Sequence, residues 1–218
     1  MEKGIAKMMS DTVRLASSDF SAEKLGPKLL ITGGVHGDEF EPMQAIRKLI
    51  ERFGQGSLKL TRGRLTMVPV VNEAAFRRGH RTADDDRDLA RTCPGRDDGS
   101  VTEQVAAALS RLIQSNDYYI DLHTGGTEFS VLPLTGYTLH QDNDVLEKQR
   151  AMAVAFNLPI VWGTAGNLDG RSLSVARDAN VPAIYAEYLG GARCCEHGVA
   201  ALVEGCLNIM MHLNMLDG

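Results

Sequence analysis

The chain has 218 residues, 44 % of them hydrophobic and 23 % charged, with a net charge of −5. That length supports one sizeable core and gives no ground for assuming two, so a single domain over 1–218 is expected. The acidic balance argues against nucleic-acid partners, which need a basic face, and no apolar run approaches the roughly 20 residues of a membrane span.

In chain order, the opening segment "MEKGIAKMMSDTVRL" lacks the apolar core of a signal peptide, so a cytoplasmic protein is expected. Apolar, β-rich runs predict strands at 28–32, 64–71, 118–122, 159–163 and 182–188. Between them, helical patterns run over 40–53, 101–115, 143–156, 172–179 and 196–214, the second opening on the capping-box-like "SVTEQV". Strands alternating with helices predict an α/β three-layer sandwich around a largely parallel or mixed sheet. In such sheets the functional loops gather beyond the carboxyl ends of the strands. The loops at 33–39, 72–95, 123–128 and 187–193 are therefore expected to meet.

Their polar residues are the candidates. "TGGVHGDEFEP" (32–42) places His36 just past a strand and Glu39 near a helix start, a spacing that turns both side chains toward one point. Imidazole and carboxylate donors suit zinc. "YYIDLHTGG" (118–126) brings His123 to the same sheet edge, completing the two-His, one-carboxylate set of catalytic zinc sites. Asp121, on the opposite face from Leu122, is placed to support a ligand from behind. In "VPAIYAEYLGG" (181–191), Glu187 interrupts an apolar strand; a carboxylate there is costly unless paired or employed, and a general base is such employment. The 72–95 loop carries five Arg and five acids. Some of these are ordinary surface charges, but arginine also suits a planar anion or a developing oxyanion.

The four cysteines, Cys93, Cys194, Cys195 and Cys206, follow no C-x-x-C spacing. "CCEH" (194–197) has the donor types of a metal site, although free thiols acting as small hydrophobes are the simpler reading.

Together, "GGVHGDE", "DLARTCPG", "DLHTGG" and "PAIYAEYLGG" resemble the succinylglutamate desuccinylase/aspartoacylase family, over roughly Leu29 to Leu216. The resemblance implies a carboxypeptidase-like fold and one Zn2+ per chain held by His36, Glu39 and His123. It implies Glu187 as general base, Arg81 (with Arg78 as fallback) polarising the scissile carbonyl, and Arg91 holding a substrate carboxylate. The implied activity is hydrolysis of an amide in an N-acylated amino acid or similar small molecule. Trimming of short peptides and a zinc-binding module without turnover are the alternatives. Ala90 stands where the family usually has Asn, and the smaller C-terminal β-rich domain of many members is not recognisable here.

Overall fold

The computed structural model describes residues 13–217. Most of the segment read for a leader, residues 1–12, lies outside the described residues, as does Gly218.

One mixed sheet of seven strands forms the centre, with spatial order β1-β3-β2-β4-β7-β5-β6. In chain order these are β1 (Ser18–Ser21), β2 (Lys28–Thr32), β3 (Arg64–Val68), β4 (Tyr118–His123), β5 (Ser130–Thr138), β6 (Ile160–Thr164) and β7 (Ala183–Gly190). The helices are α1 (Phe40–Gly54), α2 (Glu73–Arg78), α3 (Val101–Gln114), α4 (Asn143–Phe156), α5 (Ser172–Asp178) and α6 (Glu196–His212). Strands β3, β2, β4 and β7 run parallel, β1 pairs antiparallel with β3 and β5 antiparallel with β7, and β6 runs parallel to β5.

Side-chain alternation decides which face carries what. Leu29, Ile31, Ile120, Leu122 and Ile184 pack into one core with residues of α1, α4 and α6. Leu30, Tyr119 and Ala183 pack into the other with α3 and α5. A slip of one residue would exchange the side chains of the two cores, forcing Leu29 and Ile31 into the space shaped for Leu30 and its neighbours, so packing on both faces sets the register. In that register Thr32 lies beside Asp121, and His123 beside Glu187.

The expected helices form within a residue or two of their predicted ends. At α3 the capping box is real: Glu103 N–H donates to Ser100 Oγ at 3.5 Å, and Ser100 N–H to Glu103 Oε2 at 2.8 Å. Three corrections follow. Strand β3 ends at Val68 rather than at 71, because Pro69 has no N–H to continue the ladder. The 72–95 segment is not wholly irregular: it opens with α2, whose N-cap Asn72 accepts from Ala75 N–H at 3.2 Å, and holds a 3-10 turn at Leu89–Arg91. Strand β7 runs to Gly190 rather than ending at 188, so Glu187 stands three residues inside its carboxyl end.

Candidate active site at the carboxyl edge of the sheet

Glu39 is the N-cap residue of α1, and His36 precedes it in the turn leaving β2. That turn lies hard against α2: a Cβ on Gly37 would sit 2.1 Å from the Ala75 backbone carbon, so only glycine fits. His123 ends β4. The three side chains converge. His36 Nδ1 lies 2.7 Å from Glu39 Oε1, and His123 Nδ1 lies 2.9 Å from Glu39 Oε2. One donor atom from each falls within 4.8 Å of the others, the only such group of three or more among the described residues.

Each imidazole is held from behind by a second carboxylate. His123 Nε2 lies 3.2 Å from Asp121 Oδ2, and His36 Nε2 lies 3.1 Å from Asp88 Oδ1. Asp121 is wholly buried and accepts from Thr32 Oγ1 at 2.8 Å and Ser172 Oγ at 2.5 Å; Thr32 in turn meets the Tyr119 hydroxyl at 2.8 Å. Asp88 instead faces a loop, where Arg81 Nη2 donates to its Oδ2 at 2.9 Å.

Electrostatics follow from this crowding. Burial works to raise the Glu39 carboxyl, but the charges of His123 and His36 and their hydrogen bonds hold it down at about 2. Burial likewise opposes charge on both imidazoles, yet their carboxylate partners raise His36, and raise His123 well above its usual value. Asp88 and Asp121 lie below the ordinary carboxylate range despite burial, through their His, Arg and hydroxyl partners. Glu187 goes the other way: burial pushes it up to about 7, and its Oε2 is buried without a hydrogen-bond partner.

The donor set fits a divalent cation. Two Nδ1 atoms face the two oxygens of one carboxylate, and both outer nitrogens are fixed by carboxylates, as the supporting groups of a zinc site fix its ligands.

These residues line a cavity of about 620 Å³, together with Arg81, Ala90, Arg91 and Glu187. Arg78 turns elsewhere, toward the Thr82 and Ala83 carbonyls and Asp84, and does not line the cavity. Sequence reasoning missed several contributors. Asp88 belongs to the quoted "DLAR" stretch, but nothing local signals that it reaches His36. Arg171 also lines the cavity, its Nε buried without a partner and its basicity lowered by burial and by the neighbouring charge of Arg91. Tyr185 lines it as well, in space left open by Gly136, where a Cβ would fall 2.0 Å from the Tyr185 ring. Asp38 Oδ2 accepts from Thr127 N–H at 2.9 Å and Thr127 Oγ1 at 3.0 Å, tying the loop after β4 to the turn that carries His36.

Of the cysteines, Cys93 and Cys206 are buried, as free thiols acting as hydrophobes should be, whereas Cys194 is exposed and Cys195 partly so. No helix among the described residues is long and apolar enough to cross a membrane.

Two imidazoles and a carboxylate thus converge at the carboxyl edge of a mixed α/β sandwich, the ligand types of a divalent-metal site. The chain belongs to the succinylglutamate desuccinylase/aspartoacylase catalytic-domain family, whose model matches residues 25–213. It is 33 % identical to the N-alpha-acetyl-L-2,4-diaminobutyric acid deacetylase of Halomonas elongata over 200 residues, 88 % of this chain and 56 % of that one. It is 32 % identical to the succinylglutamate desuccinylase of Pseudomonas paraeruginosa over 119 residues, 50 % of this chain and 35 % of that one. Among solved structures, the product-bound ectoine utilization protein EutE (DoeB) of Ruegeria pomeroyi superposes with a TM-score of 0.85 at 29 % identity, covering 93 % of this chain and 61 % of that one. The chain thus spans little more than half the length of that deacetylase.

Proposed function

We propose that the chain is a zinc-dependent hydrolase that cleaves the amide bond of an N-acylated amino acid or a similar small molecule. The observation that carries this reading is the convergence of His36, Glu39 and His123 within 4.8 Å, with the buried, unpartnered Glu187 lining the same cavity. The deacylase relatives support the reaction class.

His36, Glu39 and His123 would hold the metal, which when bound supplies Lewis acidity and lowers the pKa of water from about 16 to about 7. Glu187 accepts the proton of the attacking water and returns it to the leaving amine. A carboxyl raised to about 7 suits both halves of that task near neutral pH. Arg81, held by Asp88 at the cavity wall, offers a guanidinium to the negative charge that develops on the carbonyl oxygen. Arg91 and Arg171 line the same cavity and supply positive charge for a substrate carboxylate. Asp121 and Asp88 fix the orientation of the imidazoles. The sheet and its flanking helices act as a single catalytic unit, working on small molecules in the cytoplasm.

The test is elemental analysis of the purified protein alongside His36→Ala and His123→Ala, followed by turnover of an N-acyl amino-acid panel. About one zinc per chain, lost in both variants, together with release of free amine is the expected result. A metal-free wild type that takes up no added zinc would sink the hydrolase reading. Ala90 at the cavity wall favours a second reading, trimming of short peptides, since a small side chain there leaves room for a longer substrate. Release of amino acid from dipeptides faster than from N-acetyl amino acids would favour that alternative.

A further inference from the structure

Glu41 stands in the first turn of α1, two residues past Glu39, and is wholly buried. Its Oε1 accepts a single hydrogen bond, from the Cys195 N–H at 3.2 Å. Its Oε2 is buried with no partner at all. The positive end of the helix dipole favours an acid at this position, but such end effects are small beside the cost of burying an uncompensated carboxylate. Something positive is called for.

The segment that covers Glu41 is the "CCEH" run at the start of α6. Cys195 Sγ lies 3.6 Å from His197 Nε2. Cys194 is close enough for its thiol to be pushed up by burial and by the charges of Glu41 and Cys195, against the opposing pull of Lys48. Lys48 itself makes no hydrogen bond to Glu41 among the described residues, so it leaves Oε2 unpaired.

We propose that Glu41, Cys194, Cys195 and His197 form a second cation site, suited to a thiophilic divalent ion of the zinc type. The donor chemistry is two thiolates, one imidazole and one carboxylate, each a common zinc ligand. The one pair already in place has the right separation: with metal–sulfur near 2.3 Å and metal–nitrogen near 2.0–2.1 Å, a tetrahedral angle sets sulfur and nitrogen about 3.6 Å apart. Unlike His36, Glu39 and His123, no three of these donors yet lie within 4.8 Å of one another. Closing the site requires Cys194 and His197, both exposed, to turn inward. A cation held there would neutralise the orphaned Glu41 oxygen, which otherwise has no counterpart.

The experiment is titration of the reduced, metal-freed protein with Co2+, read by the sulfur-to-cobalt charge-transfer absorption in the near ultraviolet. Only a thiolate ligand produces that band, so the readout is independent of turnover and of the His-Glu-His centre. The band should appear in the wild type and persist in His36→Ala/His123→Ala. It should vanish in Cys194→Ser/Cys195→Ser, and Glu41→Gln should weaken Co2+ binding at this site about tenfold or more. His197→Ala, a surface change with little risk to folding, should also weaken it. No charge-transfer band in the wild type would reduce the pair to a thiol–imidazole hydrogen bond and overturn the proposal. A band that survives the double Ser variant, and so arises from Cys93 or Cys206, would overturn it too. So would binding unchanged by both Glu41→Gln and His197→Ala.

Discussion

The candidate active site is built from two unlike halves. Asp121, His123 and Glu187 stand on adjacent central strands, paired residue for residue, and Asp121 is fixed by Thr32 and Ser172 in a dry network. Arg81, Asp88 and Arg91 stand on the segment between α2 and α3, where Asp88 is reached by Arg81 and caps its own 3-10 turn. The first half has one arrangement that the fold permits. The second is fixed by ion pairs that water can enter, since the Arg81 side chain is 44 % exposed and the Asp88 side chain 27 %. On the proposed function, proton transfer falls to the rigid side and substrate-dependent charge stabilisation to the adjustable one.

Variants can break that comparison or sharpen it. The largest effect is expected at the sheet: Glu187→Gln should lower kcat by about 10²–10⁴-fold, with zinc content unchanged. On the loop side, Arg81→Ala should cost about 2.7–4 kcal/mol in kcat/KM, and added guanidinium should restore part of it. Equal rescue of Glu187→Gln by a small carboxylate would erase the distinction between fixed and adjustable halves. The supporting carboxylates give a direct contrast in metal affinity. Asp121→Asn should weaken zinc binding by about 10–100-fold, and Asp88→Asn should fall at or below the bottom of that range, measured by competition with a chelator. If Asp88→Asn proves the more damaging, the loop is the stiffer support.

The smallest effect concerns stability. Asp85 accepts from Thr102 N–H at 3.0 Å and Thr102 Oγ1 at 2.7 Å, anchoring the loop to the first turn of α3. Asp85→Ala should cost about 1 kcal/mol, read as a lower Tm. Burial acts to raise the Asp85 carboxyl, but hydrogen bonds from Ser100 and Thr102 outweigh it and depress the value. A depressed carboxyl stabilises the fold above its ordinary pKa and loses that contribution as pH falls through the folded value. The wild-type and Asp85→Ala melting curves should therefore converge in acid.

Much of this was readable from the residues. The apolar runs of β2, β4 and β7 signal fully buried parallel strands, and polar residues at or near their carboxyl ends gave His36, Glu39, His123 and Glu187 as candidates. Strand β5 was not readable: "SVLPLTGYT" contains a proline and a glycine, carries a register shift between Val131 and Leu134, and has only part of its length buried. Its pairing comes from β7 and β6, not from its own pattern. Strand β1, only four residues long, failed for a similar reason. Asp88 and Arg171 were missed because their value lies in contacts across the fold. Asp88 meets His36 from 52 positions away, a distance along the chain that no local periodicity encodes.

Glu187 is flanked in register by His123 on one side and Leu134 on the other. This has a consequence for anyone recombining the chain with its relatives. A single insertion or deletion between Ala183 and Glu187 would turn the carboxyl to the opposite face of the sheet, where Ile184 and Ala186 now face α6. Crossover points belong after Gly190, where the ladder has ended and changes in length no longer alter which way the Glu187 carboxyl points.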